Sequence, residues 1–541
     1  MNPQLASAIK TMAAARGITV ALGQDRVTAT IGGHTAAIDL PADSSAVDEL
    51  ADLPSAFPSR AARGDIREKT LYNAVQDMVE VAEGSRISDQ RLKDALPEKL
   101  RADQSSRRVL ASVMAQQYWF RPKATGSSAP ATFLTPFHAD LPGAYDYRGR
   151  YKSFRGNLLL FLCFDGTSYD LSLARNLLKF LSSDDGLNPL DRELLRTARQ
   201  VAEEDGQVRV DDPGRLLRLD AGIRPADAQV HERLAHGAYD QPAIDLMRRD
   251  LNTVMTLQVT RHDKVAAFVL ALSLHVALYY YRVAFSLGDG LQAAARTLES
   301  GTPGPAPEFG GQVLFRVGTG GDRPVSSTDP CATAWWRLDE QHLLAMPANM
   351  VGANLLHRIA IAVLGDAAPA LPQPHTCAAA LTRDHPSQAL GEFLAAAAGA
   401  SLAAVGDENP PAYQPGEGGY ALRAGALAAF RLRPAALKQR GRDVVNTLVG
   451  GFSGNLKRNR GRVRFFELDE DVLFLLVKLI IDGAGEEQMS LYSEFLPALH
   501  GYGLAPQNTR EEELLADALE RLGLLYRYSD AGEATYVRYV R

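Results

Sequence analysis

The side chains best placed to do chemistry are cations near the carboxyl end. Between Arg431 and Arg464 the chain carries Arg431, Arg433, Lys438, Arg440, Arg442, Lys457, Arg458, Arg460, Arg462 and Arg464 against one acid, Asp443. From Phe465 to Glu487 the balance reverses, with Glu467, Asp469, Glu470, Asp471, Asp482, Glu486 and Glu487 against Lys478 alone. This pattern suits contact with phosphates rather than bond cleavage. Clustered Lys and Arg displace counterions from a nucleic-acid backbone and read no bases. In GGFSGNLKRNRGRVR, Gly450, Gly451, Gly454 and Gly461 would let backbone N–H groups approach a phosphate. No Gly-Lys-Ser/Thr follows, so this is not a Walker A loop. The residues expected to touch nucleic acid are Lys457, Arg458, Arg460, Arg462 and Arg464, joined by Arg527 and Arg538 further on. The same bases could instead form a solvated face or pair with the acids downstream. Phe452 could stack on a base, although a core position explains it more simply.

Other spacings fail as reaction centres. Gly451-Phe452-Ser453-Gly454-Asn455 misses the nucleophile-elbow pattern at its last position. Cys331, Cys377, His342, His357, His375 and His385 fit no standard zinc spacing. Arg261-His262-Asp263 is a triad only in writing order, and Asp263 suits the start of a helix. Glu467, Asp469 and Asp471 could hold Mg²⁺, but helix capping accounts for them better. The sequence therefore predicts no catalytic set, no metal and no cofactor.

The elements that would position these residues can be read from hydrophobic period. MNPQLASAIKTMAAARG is amphipathic, with Leu5, Ile9 and Met12 at helical spacing. Residues 18–40 alternate apolar and polar around Gly23-Gln24-Asp25 and Gly32-Gly33, which predicts a small three-stranded meander. Pro41 to Arg63 reads as a loop. Helical spacing follows in residues 66–84, 173–183, 191–206 and 241–259. The run Asn157–Phe164 fits a buried strand or a buried helix equally. Val265–Leu287 is nearly long enough to span a bilayer, but His275 and Arg282 interrupt it. It is expected as a core helix, with Tyr279, Tyr280 and Tyr281 needing partners for their hydroxyls. Gly301–Asp329 reads as a loop or linker, helices resume from 333 to 406, and 407–419 is a second loop.

The last hundred residues predict a winged helix. Asp469–Asp482 is an apolar helix with acids in its first turn, where the helix dipole favours them. Ser490–His500 predicts a second helix. A third follows an Asn508 or Thr509 cap, with Leu514, Leu515, Ala518, Leu519 and Leu522 on one face. LLYRY and ATYVRYV flank a turn at 529–533 and predict a hairpin. The third helix carries Glu511, Glu512, Glu513, Asp517 and Glu520 on its expected solvent face, against Arg510 and Arg521. Acids there oppose entry into a DNA groove, so protein binding or backbone contact by the hairpin is the better expectation.

Length and composition fix the frame. A chain of 541 residues exceeds one compact core, and 46% hydrophobic with 23% charged residues is ordinary for a folded protein. The expected class is mainly α and multidomain, with a small N-terminal β-meander, a large helical middle and a C-terminal winged helix. The expected units are 1–62, 63–300, 330–445 and 446–541. A net charge of −6 excludes a global polycation, and three scattered cysteines suit a reducing cytoplasm. No signal peptide or membrane anchor is expected.

Arg464-Phe465-Phe466-Glu467-Leu468, the apolar helix after it, Tyr502-Gly503-Leu504, LGLLYRYSDAGEATYVR at 522–538 and the central HDKVAAFVLALSLHVALYYYR together carry a resemblance. They resemble DptG-like accessory subunits of phosphorothioation-dependent restriction and of methylation-associated anti-phage defence systems. The resemblance implies a non-catalytic cytoplasmic adaptor or scaffold beside an ATPase, helicase or nuclease, and it supplies no catalytic residues. Two other readings stand beside it. One is a free-standing winged-helix DNA-binding regulator. The other is an enzyme whose site is assembled from distant residues.

Overall fold

The computed structural model describes residues 1–51, 172–204, 239–318, 323–383, 385–406, 439–447, 456–527 and 535–539, with a few short stretches between them. The expected helix at 66–84, most of the run Asn157–Phe164, the loop at 407–419, the segment Gly450–Asn455 and the turn at 529–533 lie outside the described residues.

The chain is mostly helical, with a small antiparallel sheet at its start. Helix α1 (Pro3–Ala15) buries Leu5, Ile9 and Met12, as their spacing requires. Strands β1 (Thr19–Leu22), β2 (Arg26–Ile31) and β3 (His34–Asp39) form the meander, in order β1-β2-β3. The expected loop after it needs correction: Ser44–Leu50 is a helix, α2, whose N-cap Asp43 accepts from the N–H groups of Ser45 and Ala46. Seven residues are too short for a period to show. This unit does not stand alone. Its apolar face shares a core with Leu355, Ile359, Phe393 and Leu394, and Asn354 and Ser401 donate to the carbonyls of Leu50 and Pro41.

Strands β4 (Trp119–Phe120) and β5 (Phe133–Leu134) form a two-residue ladder. Helices α3 (Ser172–Ser182), α4 (Pro189–Glu204) and α5 (Gln241–Thr256) then lead to α6 (Arg261–Ser300), the central element. Thr260 caps α6, and its hydroxyl also meets Asp263 at 2.6 Å, so Asp263 does serve a helix start. Arg261 is buried and donates to the carbonyls of Phe137, Phe180, Leu181, Ser183 and Asp185, which closes the carboxyl end of α3. His262 turns instead to Asp191, 2.8 Å away.

Among the described residues, three helices are long and apolar enough to cross a membrane: Arg261–Ser300, Pro330–Ala367 and Pro386–Val405. Their apolar windows are 89%, 61% and 83% buried within the protein. Gln241–Thr256 and the helical hairpins after residue 330 surround α6. Tyr281 finds its partner in buried Asp339, 2.8 Å from its hydroxyl. Asp339 lies in a π-helical turn, Arg337–Leu343, that joins α7 (Pro330–Trp336) to α8 (Leu344–Leu364). Pro347 supplies no N–H in the first turn of α8, and such gaps accompany widened turns. Helices α9 (Pro374–Leu381), α10 (His385–Val405) and α11 (Gln439–Thr447) complete the middle.

The expected loop Gly301–Asp329 contains strand β6 (Val313–Val317), a second correction. It lies inside a four-stranded sheet with β7 (Lys457–Arg460), β8 (Val463–Leu468) and β10 (Leu504–Pro506), in order β10-β6-β8-β7. The pairs β10–β6 and β6–β8 are parallel, and β7–β8 is an antiparallel hairpin. A strand from mid-chain therefore binds two C-terminal segments together.

After β8 comes α12 (Glu470–Ala484), capped by Asp469. Strand β9 (Gln488–Ser490) and a π turn occupy the start of the expected second helix, leaving α13 as Leu496–Tyr502. Helix α14 (Thr509–Arg521) starts at its expected cap, Asn508. Strands β11 (Leu525–Arg527) and β12 (Thr535–Arg538) follow, and the sheet order is β11-β12-β9, all antiparallel. One hydrophobic core runs from Leu177 through α6 to Val537, so packing bridges the ranges expected for separate units.

Candidate functional site

The cationic residues 457–464 fold into one hairpin, β7–β8. Its register pairs Arg460 with Val463, leaving Gly461 and Arg462 as the turn. Gly461 has φ +59°, which a two-residue hairpin turn requires and which side chains other than hydrogen resist. Both turn residues are exposed. Strand β7 is the outer edge of its sheet, and bases on an edge strand also keep it from pairing with other strands.

The seven residues expected to touch nucleic acid fall into four groups. Lys457 and Arg458 lie on β7, and their side chains are outside the described set. Arg460 is half-buried, and its guanidinium donates to the carbonyl of Arg323. Arg462 and Arg464 are exposed and, among the described residues, neither meets a carboxylate. The Arg464 guanidinium lies over the indole of buried Trp335, 5.2 Å from its centroid. Arg527 and Arg538 sit on a different sheet. Arg527 is 3.8 Å from Asp517 and 3.2 Å from Glu520, and Arg538 lies over Tyr526 at 5.7 Å. Of the acids downstream of the hairpin, Glu467 faces buried Arg316 at 3.9 Å, and Glu470 faces Arg521 at 3.1 Å.

Helix α14 departs from its expected pattern at one residue. Glu511 was expected on the solvent face, yet it is only 4% exposed. Its carboxylate accepts from the backbone N–H of Val317 and from Arg323, both at 2.9 Å. The start of α14 is thereby fixed to β6. Glu513, Asp517 and Glu520 remain exposed. This helix presents acids outward and is anchored inward, which opposes insertion into a groove lined by phosphates.

A second cluster escaped the sequence. Asp250 of α5, His275 of α6 and Tyr502 of α13 are all almost fully buried. His275 Nε2 is 2.9 Å from Asp250 Oδ2, and the Tyr502 hydroxyl donates to the same oxygen. Arg249 donates twice to Asp250 Oδ1, at 3.0 and 2.9 Å. A carboxylate only accepts, so His275 Nε2 must carry the proton. Burial, and next the Asp250 charge, hold the Tyr502 hydroxyl well above its ordinary pKa. The carboxylate's oxygens are consumed by neighbouring donors, and the cluster bolts three helices together. Arg249 alone reaches outward, into a groove of about 680 Å³ that also exposes Asn176, Asn252, Asp482 and Tyr539. The members are up to 253 residues apart, so no motif could have revealed them.

Of the described cysteines, Cys331 packs against Phe465 of the hairpin and Cys377 sits in the core shared with the N-terminal sheet. Cys331 and Cys377 are buried, and burial raises their thiols to about 11 and about 12. Among the described residues, no three His, Cys, Asp or Glu side chains gather as a cation site. The chain matches no family model and no curated protein sequence.

Proposed function

We propose that the protein is an adaptor or scaffold that holds a nucleic-acid backbone through the β7–β8 hairpin without reading its sequence. The observation that carries this reading is the exposure of Arg462 and Arg464 at and beside the hairpin tip, with no carboxylate to neutralise them among the described residues. Phosphates are the natural counter-charge for such a tip.

The C-terminal unit fits a winged helix: α12, β9, α13, α14, then the β11–β12 hairpin, with β9 pairing to β12. In this reading its third helix is a structural and protein-binding element. The inward anchor of Glu511 and the outward acids of α14 support that role over groove reading. The burial of the three apolar helices supports a place in the core rather than in a bilayer.

The resemblance to accessory subunits of anti-phage restriction systems supplies the setting, a cytoplasmic complex with an ATPase, helicase or nuclease. Affinity capture of the full-length protein from its native host tests this. Co-purification of such a partner or of nucleic acid is the expected result. Recovery of the protein alone would contradict it. The regulator reading predicts sequence-specific footprints instead, and a footprint indifferent to sequence excludes it.

A further inference from the structure

Where α3 and α5 end and α6 begins, a groove of about 480 Å³ is lined by Lys179, Phe180, Met255, Val259, Arg261 and Lys264. Two of its cations share one ring. The Arg261 guanidinium lies 4.7 Å from the Phe180 centroid, and the Lys264 ammonium lies 5.3 Å from it. Arg261 bonds five backbone carbonyls, as many as it has N–H donors. Lys264 is less engaged. Its Nζ donates to the Met255 carbonyl at 3.0 Å and, among the described residues, meets no other acceptor and no carboxylate. An ammonium has three donors, so two remain for a ligand. Among the described residues the one acid lining the groove is Asp185, whose carboxylate accepts from the Ser183 hydroxyl at 2.9 Å. Lys179, Arg261 and Lys264 therefore leave the groove net positive. Burial, and next the Arg261 charge, lower the pKa of the Lys264 ammonium, as expected of a cation short of counter-charge.

We propose that this groove binds a small amphipathic anion, with a carboxylate or phosphate head on the Lys264 ammonium and an apolar body along Met255 and Val259. Phe180, Met255 and Val259 pack against the core but are only partly buried, so apolar surface remains in the groove beside the cation. An inorganic ion would leave that surface wet, and a neutral hydrocarbon would leave the ammonium unpaired. An anion with an apolar body satisfies both. The head belongs on Lys264 because the Arg261 fork is already occupied by carbonyls. A lysine ammonium acts as a point charge, so it accepts either head without a fixed fork geometry. Lys179 is exposed in the last turn of α3 and adds to the field. The groove uses no residue of the 457–464 hairpin, so this inference and the proposed nucleic-acid contact stand or fall separately.

The test uses the full-length protein and calorimetric titration with decanoate, decyl phosphate and decyltrimethylammonium, which share one chain and differ in the head. The two anions should bind and the cation should not. Saturable binding of either anion supports the inference, and their ratio identifies the head. Lys264→Met keeps the apolar stem and removes the charge, and should weaken anion binding by roughly 10- to 150-fold, the loss of one charge-assisted hydrogen bond. Because Lys264 also holds the Met255 carbonyl, Val259→Asp is the second variant. It leaves that bond in place, adds an acid to the lining, and should abolish anion binding with the melting temperature little changed. Placement is read by limited acetylation and mass spectrometry. Bound decanoate should slow the labelling of Lys264 and leave that of exposed Lys10 unchanged. Binding of neither anion overturns the inference. So does equal binding of the cationic amphiphile, wild-type affinity in both variants, or equal labelling of Lys264 with and without decanoate.

Discussion

Single residues with distant partners decide much of this structure. Asp250 has no exposed surface and accepts from His275, Tyr502 and Arg249. Replacing it with Ala would leave three donors facing an empty acceptor site. The cost should be about 3–5 kcal/mol, as for other broken buried pairs, and urea unfolding would measure it. A loss under about 1 kcal/mol would mean the cluster is loosely held or wet. Buried tyrosines give a pH prediction. Burial raises the hydroxyls of Tyr239, Tyr279 and Tyr502 in the folded state. Unfolded tyrosine loses its proton near pH ~10, so above that pH the unfolded chain binds fewer protons than the native one. Their stabilising contribution is complete below about pH 10 and falls as pH rises further, which thermal melts across that range would record. Residue roles were legible where the partner was local. Asn508, Asp469 and Asp263 were readable as helix starts because a cap acts within three residues. Glu511 was not, because its partners Val317 and Arg323 are separated from it by 194 and 188 positions.

At the scale of elements, period was the legible signal and short length hid the rest. Leu5, Ile9 and Met12 repeat over enough turns to announce α1, and the alternation around Val27 and Ala29 announces β2. Val313–Val317 has five residues in a glycine- and proline-rich stretch, and its partners β8 and β10 come late in the chain. Parallel pairing over that distance leaves no local trace. The hairpin 457–464 showed its charge in the sequence but not its pairing, because Lys and Arg alternate with Asn, Gly and Val rather than with a clear apolar face. Gly503 tests how tightly these elements join. It ends α13 with φ +88°, and an added Cβ would lie 2.3 Å from the Phe309 ring. Gly503→Ala should therefore lower the melting temperature, through strain and through displacement of Phe309 from the core. An unchanged melting temperature would show that the turn and the ring yield freely.

At the scale of the whole molecule, a helical scaffold presents an exposed cationic hairpin tip. The core around α6 reaches from Leu177 to Val537, so the hairpin is presented by a braced body rather than by a tether. Charge was the part of the candidate site legible from sequence, as a run of bases without acids. Its exposure was not, since Arg460 turns inward to a carbonyl while Arg462 and Arg464 face solvent. Nor was the pairing of Arg527 with Asp517 and Glu520, which removes it from the same face. The salt dependence of DNA binding tests the central claim most directly. With Lys457, Arg458, Arg462 and Arg464 each meeting a phosphate, log K should fall against log salt with a slope of roughly −3 to −4. Changing Lys457, Arg458 and Arg462 together to Ala should weaken binding and flatten that slope by about one unit per lost contact, with little change in stability. A variant that keeps the wild-type slope, or a wild-type protein that binds no nucleic acid at low salt, would contradict the account.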